Sequence, residues 1–260
     1  MLTVFYSYTA RGFCYTSSMQ EPADNLTPSP ERVIILDELR KETSERVSRI
    51  DREVADGFDL INKYNETITF FGSARSPSDD PYYEKARIVA EALSKEGYTI
   101  VSGGGGGIME AADRGASESG GSAIGLNIKL PREQHLNPYA TESMAFRYFF
   151  IRKVILAFGA EAYIFFPGGF GTLDEFFEII TLIQTKKMMM APVILYGNEY
   201  WTALDRFIKT YLLKEFNAIS PGDEDIYSIT EDIEVIKALV NHHRDTSNAF
   251  IEREEDPPEL

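Results

Sequence analysis

The stretch AYIFFPGGFGTLDE, residues 162–175, contains in order the pattern of a buried strand, a glycine turn and the start of a helix. Its first five residues are all apolar, which is typical of a strand buried on both faces. The three glycines leave backbone N–H groups uncovered at a helix N-terminus, where the helix dipole favours an anion such as a phosphate. Asp174 and Glu175 follow in the predicted first turn. The stretch therefore predicts a site that holds a phosphorylated substrate beside two carboxylates.

The region around this stretch has the pattern of an α/β protein. From residue 67 onward, short β-branched or aromatic runs alternate with helical segments, which indicates a parallel sheet built from βαβ units with helices on both faces. Asp80 before Pro81 predicts a helix start, and Gly97 predicts its end. The predicted strands are 67–72, 98–102, 122–127, 162–166, 192–196 and 226–229, and the later helices are 106–118, 143–158, 172–186, 199–214 and 231–242.

The chain ends differ from this central pattern. Residues 1–30 have no basic segment ahead of an apolar core and contain several prolines, so we interpret them as a disordered arm or as the product of a start codon ahead of Met19. Residues 31–66 combine alternating charges with apolar residues at helical spacing, which predicts a helical extension. The sequence therefore indicates one Rossmann-like domain over 67–245, preceded by this extension and followed by an acidic tail over 246–260.

Composition excludes several classes of function. The chain has 26 basic and 41 acidic residues and a formal net charge of −15, which argues against binding to nucleic acid or to an anionic membrane. Its single cysteine, Cys14, cannot form an internal disulfide, and its three histidines have no zinc-ligand spacing. No apolar run approaches the roughly 18 residues of a membrane span. We expect a cytoplasmic protein without a metal.

A second glycine cluster, residues 103–107, follows the predicted strand 98–102. Ligands of open α/β sheets collect beyond the carboxyl ends of the strands, so both glycine turns are expected to face one crevice. The run contains no Gly-x-Gly-x-x-Gly and no Walker lysine, which argues against both of those nucleotide motifs. A tight turn explains one or two of the glycines, whereas five favour close approach to a ligand, and we predict contacts at Gly104 and Gly105.

Three further features have both a functional and a structural interpretation. Ser73 and Arg75, after the first strand of the domain, could contact a phosphate or a base, or form a capped turn with an exposed arginine. Arg152 could hold a phosphate or carboxylate with its planar fork, or form a structural ion pair, since cations in an apolar helix need partners. Thr172 and Glu175 also have the spacing of a capping box, so Glu175 could be structural or could face the substrate.

PGGFGTLDE, residues 167–175, matches the PGGxGTxxE signature of the Lonely Guy (LOG) family at every fixed position. The Arg152-Lys153 pair resembles the Arg-Lys pair of that family. The glycine run, the FGSAR turn of 71–75 and Gln184-Thr185 are similar to bacterial members, and the resemblance covers roughly residues 67–215.

The resemblance implies a Rossmann-like homodimer or larger homo-oligomer. It would hydrolyse the N-glycosidic bond of a small nucleotide, AMP or a cytokinin riboside 5′-monophosphate, to the free base and ribose 5-phosphate without a cofactor. Members were long labelled lysine decarboxylases, but that activity needs a pyridoxal phosphate lysine, and none stands out. The alternative that we keep is a carrier that binds a nucleotide or a pterin-type cofactor in the same crevice without turnover.

The resemblance also implies roles for individual residues. Glu175 would stabilise the cationic sugar and position the attacking water, and Arg152 would orient the substrate and favour departure of the base. Lys153 would line the nucleotide pocket, and Asp174 would face the ribose hydroxyls or a subunit interface. The 5′-phosphate would be bound by the backbone and hydroxyl groups of Gly168, Gly169, Gly171 and Thr172.

Overall fold

The computed structural model describes residues 8–9, 12–13, 30–129 and 137–255, with side chains for 41–129 and 137–246. The chain divides into two compact units, residues 1–48 and 49–260. The first contains an antiparallel pair of two-residue strands, β1 (Tyr8–Thr9) and β2 (Gly12–Phe13), and the first part of a helix, α1 (Pro30–Ile61), that continues into the second unit. Most of the predicted N-terminal arm lies outside the described residues.

The second unit is built on one parallel sheet. Its strands are β3 (Thr67–Phe71), β4 (Thr99–Ser102), β5 (Ala123–Ile128), β6 (Glu142–Phe146), β7 (Ala162–Phe165), β8 (Val193–Leu195) and β9 (Tyr227–Ile229). They are hydrogen-bonded in the order β6-β5-β4-β3-β7-β8-β9, and every neighbouring pair is parallel. This confirms the predicted α/β, Rossmann-like sheet.

Helices connect the strands. They are α2 (Pro81–Lys95), α3 (Ile108–Glu118), α4 (Phe149–Phe158), α5 (Phe170–Gln184), α6 (Asn198–Phe207) and α7 (Ile233–Glu255). Helix α6 continues as a π-helix (Ile208–Glu215), and a 3₁₀ turn (Asp223–Asp225) precedes β9. Among the described residues, no helix combines the length and apolar character that a membrane span requires.

The sheet separates two apolar cores because successive side chains of a strand point to opposite faces. Residues of α2, α3 and α7 pack with Ile68, Phe70 and Ile164 on one face. Residues of α4, α5 and α6, with the end of α1, pack with Phe71 and Phe165 on the other. The five residues of β3 are all buried, so the central strand is covered on both sides, as the apolar runs of the sequence predict.

The single helix predicted over 143–158 is wrong. Its first residues form the edge strand β6, which pairs with β5 from Glu142 to Phe146, and helix α4 begins only at Phe149. The carboxylate of Glu53 accepts hydrogen bonds from the backbone N–H groups of Arg147 and Tyr148 at the bend between them. Five residues are too few to distinguish the periods of helix and strand, so pairing with β5 decides the conformation.

The predicted start and end of α2 are confirmed. Asp80 accepts a hydrogen bond from the backbone N–H of Tyr82 at 2.7 Å, and Pro81 occupies the first helical position. Gly97, just past the helix end, has φ +100°, which only glycine adopts without strain.

Helices α2 and α3 approach closely at Gly115, where an added Cβ would overlap the backbone carbonyl of Arg87. We expect Gly115→Ala to destabilise the fold by about 1–3 kcal/mol despite the better helix propensity of alanine, because backbone atoms must move apart. Urea unfolding measures this change. Ser117→Ala, on the same helix, is the control and should change the free energy of unfolding by less than about 0.5 kcal/mol. Equal effects of the two substitutions would contradict the close approach.

Candidate active site

The carboxyl ends of β3, β4 and β7 open into one cleft of about 810 Å³, a volume suited to a small molecule. Strands β4 and β7 lie on opposite sides of β3, so the cleft stands where the chain changes direction across the sheet, the usual place for a ligand. Ser73 joins the three turns, since its N–H donates to Pro167 O and its carbonyl accepts from Ile108 N, both at 3.0 Å. The two glycine turns meet at one crevice as expected.

One wall of the cleft is the N-terminus of α5. The helix begins at Phe170, and its first intrahelical hydrogen bond runs from Leu173 N to Gly169 O, which leaves the preceding N–H groups of the helix free for a ligand. Gly169 and Gly171 have open space at their Cβ positions, whereas a Cβ at Gly168 would overlap the Thr172 side chain. All four of these residues line the cleft, which is the geometry that the anion site requires.

The capping-box interpretation of Thr172 and Glu175 is wrong. The helix starts two residues earlier than the predicted 172, its N-cap is Gly169, and the cap makes no side-chain hydrogen bond. Thr172 is therefore the third helical residue and Glu175 the sixth, one turn too far along the helix to cap it. The sequence could not locate this start because glycine, threonine and aspartate can all precede a helix.

Glu175 lies on the cleft wall with only 5% of its surface exposed. Burial raises the pKa of its carboxyl to about 7; the charge of Lys153 opposes this shift, Glu178 adds to it and Arg152 opposes it. Within the described residues, Oε2 of Glu175 has no hydrogen-bond partner. The site therefore contains a desolvated carboxyl that exchanges a proton near neutral pH, as a catalytic acid or base requires.

This raised pKa predicts that stability falls with rising pH. Between the unperturbed pKa of 4.5 and about 7, the folded state binds more protons at Glu175 than the unfolded state does, so the free energy of unfolding decreases as pH rises through that window. The loss should approach about 3 kcal/mol above pH 8. We expect Glu175→Gln to remove it, so that the variant gains stability relative to the wild type from pH 5 to pH 8.5 in urea titrations. Parallel stability curves would show that the carboxyl is not desolvated.

Arg152, on α4, is held at the cleft by hydrogen bonds to two backbone carbonyls. Its Nε donates to Leu126 O at 2.6 Å and its Nη2 to Gly103 O at 3.4 Å. Burial lowers the pKa of the guanidinium, and the charge of Glu175 opposes that effect. No carboxylate of the described residues lies within ion-pair distance, so its charge is not neutralised by direct contact. A partly buried guanidinium that is oriented by hydrogen bonds and not neutralised is suited to bind an anion.

Lys153 and Asp174 form an ion pair. Nζ of Lys153 lies 2.6 Å from Asp174 Oδ2 and 2.8 Å from Glu178 Oε2, and neither Lys153 nor Asp174 is part of the cleft lining. Their predicted contacts with substrate stay predictions.

Arg147 is exposed at the bend before α4.

The sequence predicts that the glycine run contacts a ligand, whereas most of the run packs against other parts of the protein. Of Gly103, Gly104 and Gly105, only Gly103 lines the cleft. Gly104 has φ +65°, and an added Cβ would lie 2.5 Å from Asn127 Nδ2. Most of the run therefore permits close approach between parts of the protein itself, and ligand contact at Gly104 and Gly105 stays a prediction.

Ser73 and Arg75 both line the cleft. Ser73 Oγ accepts a hydrogen bond from the backbone N–H of Arg75 at 3.1 Å, and the arginine side chain is exposed. The structure therefore contains the predicted capped turn with an exposed arginine, and this turn also lies at the cleft.

The apolar side chains that line the cleft were not predicted from the sequence. These side chains are Phe70, Phe71, Met109, Phe149, Leu156 and Leu173. The ring of Phe149 lies against Arg152, with its centroid 5.8 Å from the guanidinium carbon. Met109 directly follows the glycine run and Phe149 begins the helix of Arg152, so proximity to these two motifs was the available signal.

This fold and site define a Rossmann-like α/β protein whose switch-point cleft combines the N-terminus of α5 with the buried Glu175 carboxyl and the partly buried Arg152. The family model described as "Possible lysine decarboxylase" matches residues 109–239, half of the chain. The chain belongs to this family, which is the Lonely Guy family indicated by the signature.

Two relatives support this assignment, and one solved structure supports the fold. The chain is similar to a cytokinin riboside 5′-monophosphate phosphoribohydrolase of Rhodococcoides fascians, at 28% identity over 175 residues, 65% of this chain and 86% of the relative. It is also similar to a cytokinin riboside 5′-monophosphate phosphoribohydrolase of Mycobacterium marinum, at 33% identity over 110 residues, 42% of this chain and 59% of the relative. In fold it is similar to a molybdenum cofactor carrier protein of Chlamydomonas reinhardtii, with a TM-score of 0.53 at 20% identity over 70% of this chain and 99% of that one.

Proposed function

We propose that the protein hydrolyses the N-glycosidic bond of nucleoside 5′-monophosphates, AMP or a cytokinin riboside 5′-monophosphate, to the free base and ribose 5-phosphate. The observation that carries this proposal is the buried Glu175 carboxyl on the same cleft as Arg152 and the N-terminus of α5. The names of the relatives support the reaction class.

The N-terminus of α5 suits the 5′-phosphate. The free N–H groups at the start of the helix and the Thr172 hydroxyl lie together on the cleft wall. A dianion placed there gains hydrogen bonds and the favourable end of the helix dipole. The ribose then lies toward Glu175, one turn further along the same helix.

Glu175 suits the reacting carbon. Cleavage of a ribosyl bond passes through an oxocarbenium-like sugar that a nearby carboxylate stabilises, and the attacking water must lose a proton. With a pKa of about 7, the carboxylate is basic enough to accept that proton and is still substantially ionised at neutral pH. Its burial strengthens the interaction with the developing positive charge.

Arg152 suits the leaving base and the orientation of the substrate. Its guanidinium is fixed by the carbonyls of Leu126 and Gly103, so little reorganisation is needed when charge develops on the departing base. The apolar side chains beside it, Met109 and Phe149, offer a surface on which a purine ring can pack.

Exposed aromatic residues on the helices of the site support the proposed homo-oligomer. On α4, Phe149, Phe150 and Phe158 are about half exposed, and on α5 Phe170 is 94% exposed. Exposed aromatic side chains of this size are typical of a surface that is covered in an assembly. The mass of the protein in solution tests this part of the proposal.

The test of function is incubation of the purified protein with AMP, or with an N6-substituted relative, and chromatographic measurement of the free base. Release of the base with stoichiometric ribose 5-phosphate supports the hydrolase. AMP bound in the cleft without release would support the carrier alternative, for which the ring-accommodating cleft suffices. Glu175 favours the hydrolase, because a desolvated carboxyl costs stability and a carrier has no need of it.

A further inference from the structure

A buried polar cluster contacts the glycine turn and is not part of the cleft lining. Its members are Ser102 at the end of β4, Asp113 on α3 and Asn137. Ser102 and Asp113 are fully buried, and Asn137 is 8% exposed. Burying a carboxyl group away from water costs free energy unless the group is hydrogen-bonded.

The contacts of Asp113 converge on one residue, Gly104. Its Oδ2 accepts hydrogen bonds from the Ser102 hydroxyl at 2.8 Å and from Asn137 Nδ2 at 2.6 Å. Because Ser102 donates its only hydroxyl hydrogen to Asp113, its Oγ is oriented to accept from the Gly104 N–H, at 2.9 Å. Asn137 N donates to Gly104 O at 3.4 Å. The carboxyl therefore orients both groups that bind Gly104.

The residue held between Ser102 and Gly104 is Gly103, whose carbonyl accepts from Arg152 Nη2. A Cβ at Gly103 would overlap that nitrogen, so the turn and the guanidinium are in direct contact. A change in the turn therefore has to move Arg152 or break its hydrogen bond.

We propose that Asp113 and Ser102 are positioning residues for Arg152: through the Gly103–Gly104 turn they fix the guanidinium that faces the substrate. The inference rests on the proposed function for its kinetic part only. Asp113 touches neither the cleft nor Arg152, and it acts through the backbone of the turn.

The chain offers a conservative variant and a matched control. Burial raises the pKa of Asp113 well above its usual range, and an asparagine can place its oxygen where Oδ2 accepts both hydrogen bonds. Asp113→Asn should therefore keep the turn, whereas Ser102→Ala removes the link to Gly104. Ser94→Ala is the control, because Ser94 is a buried serine on α2 whose hydroxyl has no partner among the described residues.

The kinetic experiment is a double-mutant cycle between Ser102→Ala and Arg152→Met with AMP as substrate. We expect Ser102→Ala to lower kcat about tenfold with KM changed less than about threefold, and to have no further effect in the Arg152→Met background, since residues that act through one another are not additive. Asp113→Asn and Ser94→Ala should stay within about threefold of the wild type. Equal factors for Ser102→Ala in both backgrounds would overturn the proposal.

A second measurement does not depend on activity. The Nε–H signal of Arg152 in the full chain, assigned by its loss in Arg152→Met, reports the hydrogen bond to Leu126 in a nitrogen–proton NMR spectrum. Ser102→Ala should shift or broaden it, while Ser94→Ala should not. If the wild type releases no base, the hydrolase function fails and this signal alone decides: a moved signal supports the positioning role, and an unmoved one overturns it.

Discussion

Glu175→Gln should lower kcat for nucleoside 5′-monophosphates by about 10²–10⁴-fold, the usual effect of removing a catalytic acid or base. The amide is nearly isosteric with the carboxyl and cannot accept the proton of the attacking water. Because α5 begins at Phe170 and Glu175 does not cap it, the variant should fold at least as well as the wild type at pH 8. Steady-state assay of base release and calorimetric titration with AMP measure turnover and binding separately.

The matched control is Glu178→Gln, three residues further along α5. Glu178 pairs with Lys153 and is not part of the cleft lining, so its kcat should stay within a few-fold of the wild type. If Glu175→Gln retains turnover, or if Glu178→Gln loses as much, then the carboxyl of Glu175 is not the reacting group. Loss of AMP binding together with turnover would assign Glu175 to substrate binding instead.

Arg152→Met should lower kcat/KM by about 10²–10³-fold, the range for loss of one preorganised electrostatic donor. Methionine keeps most of the volume that the side chain fills between β5 and the glycine turn, so the charge and the donors are the main loss. The pH profile of kcat/KM should change as well. Arg152 lowers the pKa of Glu175, so its removal should move the acidic limb of the profile to higher pH.

Arg147→Met is the control for a change of net charge, because Arg147 is exposed at the bend before α4. Its kcat/KM and the pH of the acidic limb of its profile should equal those of the wild type. An Arg152→Met variant with unchanged kcat/KM would exclude the guanidinium from the reaction. A lower kcat/KM with an unmoved acidic limb would show that Arg152 acts on the substrate without a detectable electrostatic effect on Glu175.

The sheet was predictable because most of its strands are short runs rich in β-branched or aromatic residues that alternate with helical segments. Each of the six predicted strands is present, with ends that differ by no more than one residue. The edge strand β6 was not predictable: its burial is incomplete, and its sequence ESMAF has no strong strand period. Its conformation depends on the free backbone groups of β5, which are remote in sequence.

The polar members of the site were predictable from the sequence, but their contacts were not. The glycines before α5 indicated an anion site, the family signature selected Glu175, and the Arg-Lys pair selected Arg152. That Gly104 packs against Asn127, and that the carbonyls of Leu126 and Gly103 hold Arg152, depends on distances between neighbouring strands and helices that no local pattern encodes.

By itself, the sequence determined the fold class, the family and the two residues that we propose for catalysis, because these depend on short patterns whose physical meaning is local. Only the tertiary structure decided where α5 begins, that Glu175 does not cap it and that its pKa rises to about 7. The physical reason is that capping depends on backbone conformation, and a pKa depends on how much water and charge surround the group in the folded chain.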